Sequence, residues 1–202
     1  MKAAEVEEST IAFYEKRADV FEAATSSADL SHLYDRFLSH LPVGARILDA
    51  GCGTGRDALA FANRGFKVAA FDASSEMVRR SQIRLGALGR VHELRFEDVK
   101  WRSEFDGVWA CASLLHVPDT RFVAVAERLI ETLRPRGIWY ASFKLGSGSR
   151  RDGERFFVDH TESSLRSAFG KLPVVVLDLW ETKDARPSRP QGQWLNIVVR
   201  RS

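Results

Sequence analysis

The residues whose types and spacing could do chemistry lie close together. Residues 47–57 read ILDAGCGTGRD, with Asp49 at the entry, Gly51, Gly53 and Gly55 alternating after it, and Arg56 next. An apolar run, a glycine turn and a helical segment form a nucleotide cradle, although glycine spacing alone is a weak signal. The dinucleotide fingerprint needs a third glycine where Arg56 stands, and the phosphate loop needs a Gly-Lys-Ser/Thr that does not follow. Asp49 narrows the choice. A carboxylate at this point repels a pyrophosphate and attracts an ammonium or sulfonium. The expected ligand is a nucleoside that is cationic where a dinucleotide is anionic.

Further candidates lie downstream. Asp72 ends the apolar run FKVAAFD, and one carboxylate can accept two hydroxyl hydrogen bonds. His116 follows FDGVWACASLL. An ordinary imidazole titrates near about 6.5 and can serve as a general base, so His116 is either that base or structural. His160 is a second candidate, set against the reading of a solvated residue before a helix capped by Thr161. Cys52 and Cys111 read as reduced thiols filling small apolar spaces, with no metal site expected. The stretch KLGSGSRRDGERFF carries Lys144, Arg150, Arg151 and Arg155, and ARPSRPQGQW carries Arg186, Arg189 and Trp194. Both read as solvated loops, or as a lid or cationic rim for an acidic acceptor.

The elements that must position these groups alternate. Helices are expected over 5–24 and 28–41, the latter with Leu30, Leu33, Phe37 and Leu41 on one face. Pro42 and Gly44 break the chain. RILDA is a strand, and RDALAFANR is a helix closed by Gly65. FKVAAFD is a second strand, followed by a helix capped by Ser74. HELRFEDV is read as the third strand and FDGVWACASL as the fourth. A helix capped by Asp119 runs to Leu133, and IWYASFKL is the fifth strand. This order implies an α/β fold with a mostly parallel sheet and the ligand outside the strands' carboxyl ends. A helix near 161–169 precedes PVVVLDLWETK and QWLNIVVRR, read as an antiparallel hairpin.

Composition sets bounds. The 202 residues are 45% hydrophobic and 28% charged with a net charge of +3, which suits one soluble domain. No basic block points to nucleic acid. The first residues, MKAAEVEEST, lack the apolar core of a secretory signal, and no run reaches the roughly 20 apolar residues of a membrane span. A cytoplasmic protein without a membrane partner is expected, as a monomer or homodimer.

On ILDAGCGTG, Asp72, FEDV and FDGVWACASLLHV, the sequence resembles the class I S-adenosylmethionine-dependent methyltransferases, closely over about residues 40–145. The resemblance implies a single Rossmann-like domain over 1–202, with a seven-stranded sheet and helices on both faces. Within it, 1–41 would be a helical cap, 42–145 the cofactor core, and 146–202 a lid loop, helix and hairpin. The cofactor would be S-adenosylmethionine, with S-adenosylhomocysteine as product. The implied cofactor residues are Tyr14, Asp49, Gly51, Cys52, Gly53, Gly55, Arg56, Asp72, Ala73, Met77, Asp98, Val99 and Cys111, with His116 as the catalytic candidate. In this assignment Asp72 holds both ribose hydroxyls, Asp98 takes the adenine amino group, and the Val99 amide faces the ring. Met77 is either plain core or a wall against adenine. Arg56 faces solvent or the ligand carboxylate. Tyr14 packs its helix or closes over that carboxylate. The SFKLG and RRDGERFF segments loosely resemble small bacterial methyltransferases of the tellurite-resistance type.

Acceptor classes differ in motif. Methyltransferases of adenine or cytosine amino groups carry Asn/Asp-Pro-Pro-Tyr/Phe after the fourth strand, where this chain reads CASLLH. Cytosine C5 chemistry needs Pro-Cys, and neither cysteine follows a proline. A small-molecule acceptor is therefore expected over tRNA, protein or a non-catalytic binding role.

Overall fold

The structure is a computed structural model that describes residues 3–186 and 191–202, so Arg189 lies outside the described residues. In chain order the elements are α1 (Ala3–Lys16), α2 (Ala18–Thr25), α3 (Ser31–Leu38), β1 (Arg46–Ala50), α4 (Arg56–Asn63), β2 (Lys67–Asp72), α5 (Ser75–Leu85) and β3 (Gly89–Glu93). They continue with β4 (Phe105–Ala110), α6 (Asp119–Thr132), β5 (Leu133–Lys144), β6 (Gly148–Asp152), β7 (Arg155–Asp159), α7 (Glu162–Phe169), β8 (Val174–Lys183) and β9 (Gln193–Arg201). Seven strands form one sheet in the order β3-β2-β1-β4-β5-β9-β8. The first five run parallel, and β9 is antiparallel to both β5 and β8. β6 and β7 form a separate hairpin.

The order reverses at β1 and β4, so the crevice for a ligand opens at the carboxyl ends of these central strands. Buried strand residues feed two cores, as the strand period of two requires. On one face Leu48, Phe105, Val108 and Trp139 pack with Ala126 and Leu129 of α6 and Phe169 of α7. On the other, Ile47, Trp109 and Tyr140 pack with Phe37 of α3 and Phe61 of α4. Each large apolar side chain so buried contributes about 1.5–3 kcal/mol. Asp49 shares the alternation of Ile47, and its carboxylate is carried into a packed region at 2% exposure.

Several expected boundaries move. The single helix over 5–24 is two, because Arg17 leaves helical geometry at φ −123°, ψ 24°. The second helix shortens at its start, where Asp29 accepts from the Ser31 amide at 2.9 Å and forms a local turn. The third strand is not HELRFEDV but Gly89–Glu93, because Val68 to Asp72 pair with Gly89 to Glu93. Phe96–Asp98 is a short 3-10 turn. Asp119 begins α6 without capping it; Pro118 holds the cap position and no side chain accepts there. Leu133 belongs to β5, not to the helix. The segment read as a glycine-rich loop is the β6–β7 hairpin. Ser74 does cap α5, accepting from the Met77 amide, and Thr161 caps α7 reciprocally with Ser164. His160 is buried, not solvated, and its Nδ1 lies 3.1 Å from Ser164 Oγ.

α1 is fastened to both sides of the crevice. Glu15 accepts from Ser74 Oγ at 2.5 Å, Ser75 Oγ at 2.7 Å and the Glu76 amide at 3.2 Å. Farther along, Thr10 Oγ1 accepts from the Phe156 amide of β7 at 3.0 Å. The helix thus bridges the start of α5 and the hairpin.

Candidate active site

The glycine turn leaves β1 with Gly51, Gly53 and Gly55 all in the left-handed region, at φ 78°, 53° and 79°, where side chains other than glycine are strained. Space excludes them as well. A Cβ on Gly51 would lie 2.4 Å from Ser113 Cβ, and one on Gly55 would lie 2.4 Å from Ser81 Oγ. The Gly51 and Cys52 amides both donate to Phe71 O at 2.9 Å, tying the turn to the end of β2. That brings Asp72 beside it. Its Oδ2 accepts from the Gly53 amide at 2.9 Å and its Oδ1 from the Ser74 amide at 3.0 Å. Burial pushes the Asp72 carboxyl above its ordinary value in spite of these backbone donors.

A second carboxylate pair sits on the other side of the turn. Asp57, in the first turn of α4, accepts from the Tyr34 hydroxyl and Arg56 Nε at 2.6 Å each and from Trp109 Nε1 at 2.8 Å. Burial acts to raise Asp57, but the Arg56 charge and these donors outweigh it and hold the group low. Asp49 has no comparable set. Its Oδ2 is buried without a hydrogen-bond partner among the described residues. Burial first, and then the neighbouring Asp57 charge, push its carboxyl well above the usual range. Of two adjacent acids, Asp57 is held as an anion, and Asp49 is held toward its neutral form until a cation reaches it.

Two adjoining cavities open at the strand ends and share Gly51, Gly53, Ala112 and Phe21. The first is lined by Asp49, Cys52, Arg56, Asp57 and Cys111, and extends to Lys144, Arg155, Phe157, Arg186 and Trp194. The second is lined by Asp72, Ala73, Met77, Phe96, Tyr14 and His116. Of the thirteen expected cofactor residues, ten line one of the two cavities, and Gly55 shapes the turn between them without lining either. The other two, Asp98 and Val99, line neither cavity. Asp98 is exposed, and Val99 is wholly buried in the core. Because β3 ends at Glu93, it is Leu94, Arg95, Phe96 and Glu97 that reach the second cavity.

Arg56 points inward, bonded to Asp57 and to Thr25 O at 3.2 Å. Met77 is 1% exposed and lines the second cavity, so it is both core and wall. Both cysteine thiols are pushed up by burial, with Cys111 reaching about 12. Tyr14 lines the second cavity and bonds to His116 Nε2 at 2.9 Å, and its hydroxyl also meets Arg155 of the first cavity. His116 Nδ1 lies 2.6 Å from Phe156 O. A carbonyl only accepts, so Nδ1 carries the proton and Nε2 accepts from the Tyr14 hydroxyl. Burial lowers the His116 imidazole to about 4. His116 is therefore neutral, with both nitrogens engaged. His160 lines neither cavity.

The hairpin's cations divide. Arg155 faces the first cavity, while Arg150 and Arg151 line a separate outer groove, with Arg150 paired to Asp159 at 2.5 Å. Ser113, Asp57 and Phe21 were not expected at the site. Ser113 Oγ donates to Ala50 O at 2.7 Å under the turn, and nothing in the sequence marks it. Asp57 adjoins the motif and could have been suspected from its place in the first turn of a helix.

The geometry can be set beside known proteins. A protein-family description, "Methyltransferase domain", matches residues 47–137. A 27-O-demethylrifamycin SV methyltransferase of Amycolatopsis mediterranei is 32% identical over 57% of this chain and 45% of its own length. A ubiquinone biosynthesis O-methyltransferase of Xanthomonas axonopodis is 31% identical over 50% of this chain and 44% of its own. The chain thus spans about half the length of the curated relatives it matches. In fold, it superposes with a TM-score of 0.80 on the Burkholderia thailandensis 1,6-didemethyltoxoflavin-N1-methyltransferase, crystallised with 1,6-didemethyltoxoflavin and S-adenosylhomocysteine. That match covers 99% of this chain and 88% of the other at 23% identity. Strand order agrees with these matches: residues 47–137 form a methyltransferase domain, and the chain has the fold of S-adenosylmethionine-dependent methyltransferases of known structure.

Proposed function

We propose that the chain binds S-adenosylmethionine across the two cavities and transfers its methyl group to a small-molecule acceptor. The observation that carries this reading is the buried, unpartnered Asp49 Oδ2 at the foot of the glycine turn. A buried carboxylate without a partner costs free energy that a bound cation returns, and the donor's amino acid end is cationic. The positive-φ turn gives a backbone surface that a nucleoside can approach closely. Asp72, at the end of β2, would take the ribose hydroxyls, and Met77 and Phe96 would flank the base.

The cofactor brings a methyl group activated by an adjacent positive sulfur. The chain's residues position and desolvate it. Asp57 stays anionic within its three donors and holds Arg56 at the cavity wall. α1 and the hairpin, joined through Thr10 and Phe156, cover the cleft and exclude water. His116 is read as a positioning residue that holds Tyr14 and Phe156 together, in place of the base role expected from its sequence position. The matched relatives named above act on small molecules by their names, which supports the same acceptor class. Release of S-adenosylhomocysteine across a metabolite library tests the reading. Turnover with one or more small acceptors supports it, and turnover only with tRNA or protein overturns the acceptor class.

A further inference from the structure

On the reading above, the first cavity has a part that the cofactor leaves open. Beyond the glycine turn it continues to the ends of β5, β7 and β9. Lys144, the last residue of β5, pairs across the sheet with Trp194. Its Nζ lies 4.7 Å from the Phe157 ring centre and 5.9 Å from that of Trp194, a cation set between two aromatic faces. Two positions earlier, Ser142 Oγ accepts from the Ala112 amide just after β4, so this chamber adjoins the shared part of the cleft. Arg155 enters from β7. One Nη bonds Asp152 at 2.9 Å, while its Nε is buried without a partner among the described residues. A buried guanidinium donor left unpaired is costly until an acceptor reaches it.

Among the described residues, the same chamber holds no group suited to remove an acceptor's proton. Asp57 is engaged by Tyr34, Arg56 and Trp109, and Asp184 is paired with Arg186. Asp49 is assigned to the cofactor's cation. The two thiols are pushed up and stay protonated. His116 lines the other cavity, and its Nε2 is taken by Tyr14. His32 lines the chamber but is exposed on α3. Positive charge beside aromatic walls, without a base, selects a nucleophile that is already ionised.

Resting on the methyltransferase reading above, we propose that this chamber takes a flat, acidic acceptor as its anion, with Lys144 and Arg155 holding the charge and Phe157 and Trp194 flanking the ring. The chemical class is a phenol, enol or ring imide whose conjugate base is delocalised. The acceptor's proton passes to water on binding. Its electron pair then forms the bond to the methyl carbon as the carbon–sulfur pair goes to sulfur, and the acceptor's negative charge cancels the sulfonium's positive one. The product is a neutral methylated ring, which the cationic chamber holds less well.

The test uses 4-nitrophenol, whose phenolate is yellow and whose neutral form is colourless, with 4-nitroanisole as the uncharged control. Each is titrated into protein saturated with S-adenosylhomocysteine, whose own binding is measured by calorimetry. The bound phenol is expected to ionise about one pH unit lower than in water, a tenfold preference for the anion. The control should bind at least tenfold more weakly. Lys144→Met should remove most of the shift and Lys144→Arg should keep it, each with a melting curve to show folding. Trp194→Leu should weaken binding and keep the shift. Absence of phenol binding, an unshifted phenol, a control that binds equally well, or a shift lost in His32→Ala overturns the proposal. If S-adenosylhomocysteine binds and the phenol does not, the acceptor inference alone falls. If S-adenosylhomocysteine itself does not bind, the underlying reading falls.

Discussion

The Tyr14 hydroxyl and His116 Nε2, 2.9 Å apart, share the lone pair that a general base at this position would need. The bond joins α1 to the segment after β4, and the opposite ring nitrogen joins that segment to β7. His116→Gln should therefore lower turnover by less than about tenfold, against the roughly 10²–10⁴-fold expected for a lost base. The effect should fall mainly on KM, since the residue holds the cover in place. Steady-state kinetics on the variant decide this; a loss of a hundredfold or more in kcat alone would restore the base.

The same imidazole makes stability depend on pH. Its folded value is lowered to about 4 from the ordinary 6.5. Between these values the unfolded chain binds the extra proton, so stability from this group is present above about pH 6.5 and is lost as pH falls toward 4. His160 is lowered by burial as well, so the difference between wild type and variant carries the assignment. Thermal melts across this range should show the wild type losing more stability than His116→Gln; parallel curves would place the loss elsewhere.

Gly51→Ala should cost stability by about 1–3 kcal/mol, because its φ of 78° is strained for alanine and its Cβ meets Ser113. Displacing Ser113 also breaks its bond to Ala50 O. Gly65→Ala, with a similar φ of 85° but open space, is the control for backbone strain without a clash. Denaturant melts of the two variants should rank Gly51→Ala clearly lower.

Much of this site was legible from local chemistry. The strand, glycine turn and helix around Asp49 and Asp72 declare themselves because each depends on residues adjacent in the chain. The misplaced third strand had another cause. Gly86 and Gly89 carry the punctuation of a loop, yet Gly89 is a strand residue where Leu85 and Val68 O leave no room for a Cβ. With that shift, Asp98 and Val99 line neither cavity. The β6–β7 hairpin was hidden because its Gly, Ser and Arg content has no apolar alternation; long-range bonds to α1 accompany it. Asp57 and its Tyr34 and Trp109 donors come from three elements brought together only by folding.

Asp49→Asn should stabilise the unliganded protein and weaken cofactor binding. The raised carboxyl favours folding at low pH, and that contribution is lost as pH rises through its folded value. An amide carries no such charge, so the variant should melt higher at neutral pH. Affinity for S-adenosylmethionine should fall by about 1–3 kcal/mol. Melting temperature and calorimetry should move in opposite directions; a variant that loses both would make Asp49 structural.

Calorimetric titration of S-adenosylhomocysteine into wild type and Asp72→Ala tests the central claim most directly, because it asks for the cofactor without needing the acceptor. Asp72 stands at the end of β2, bonded to the turn through the Gly53 amide. The wild type should bind one equivalent saturably, and Asp72→Ala should bind more weakly by about 1–3 kcal/mol while remaining folded. No saturable heat with the wild type, or equal affinity in a folded Asp72→Ala, would contradict the assignment of this cleft to S-adenosylmethionine.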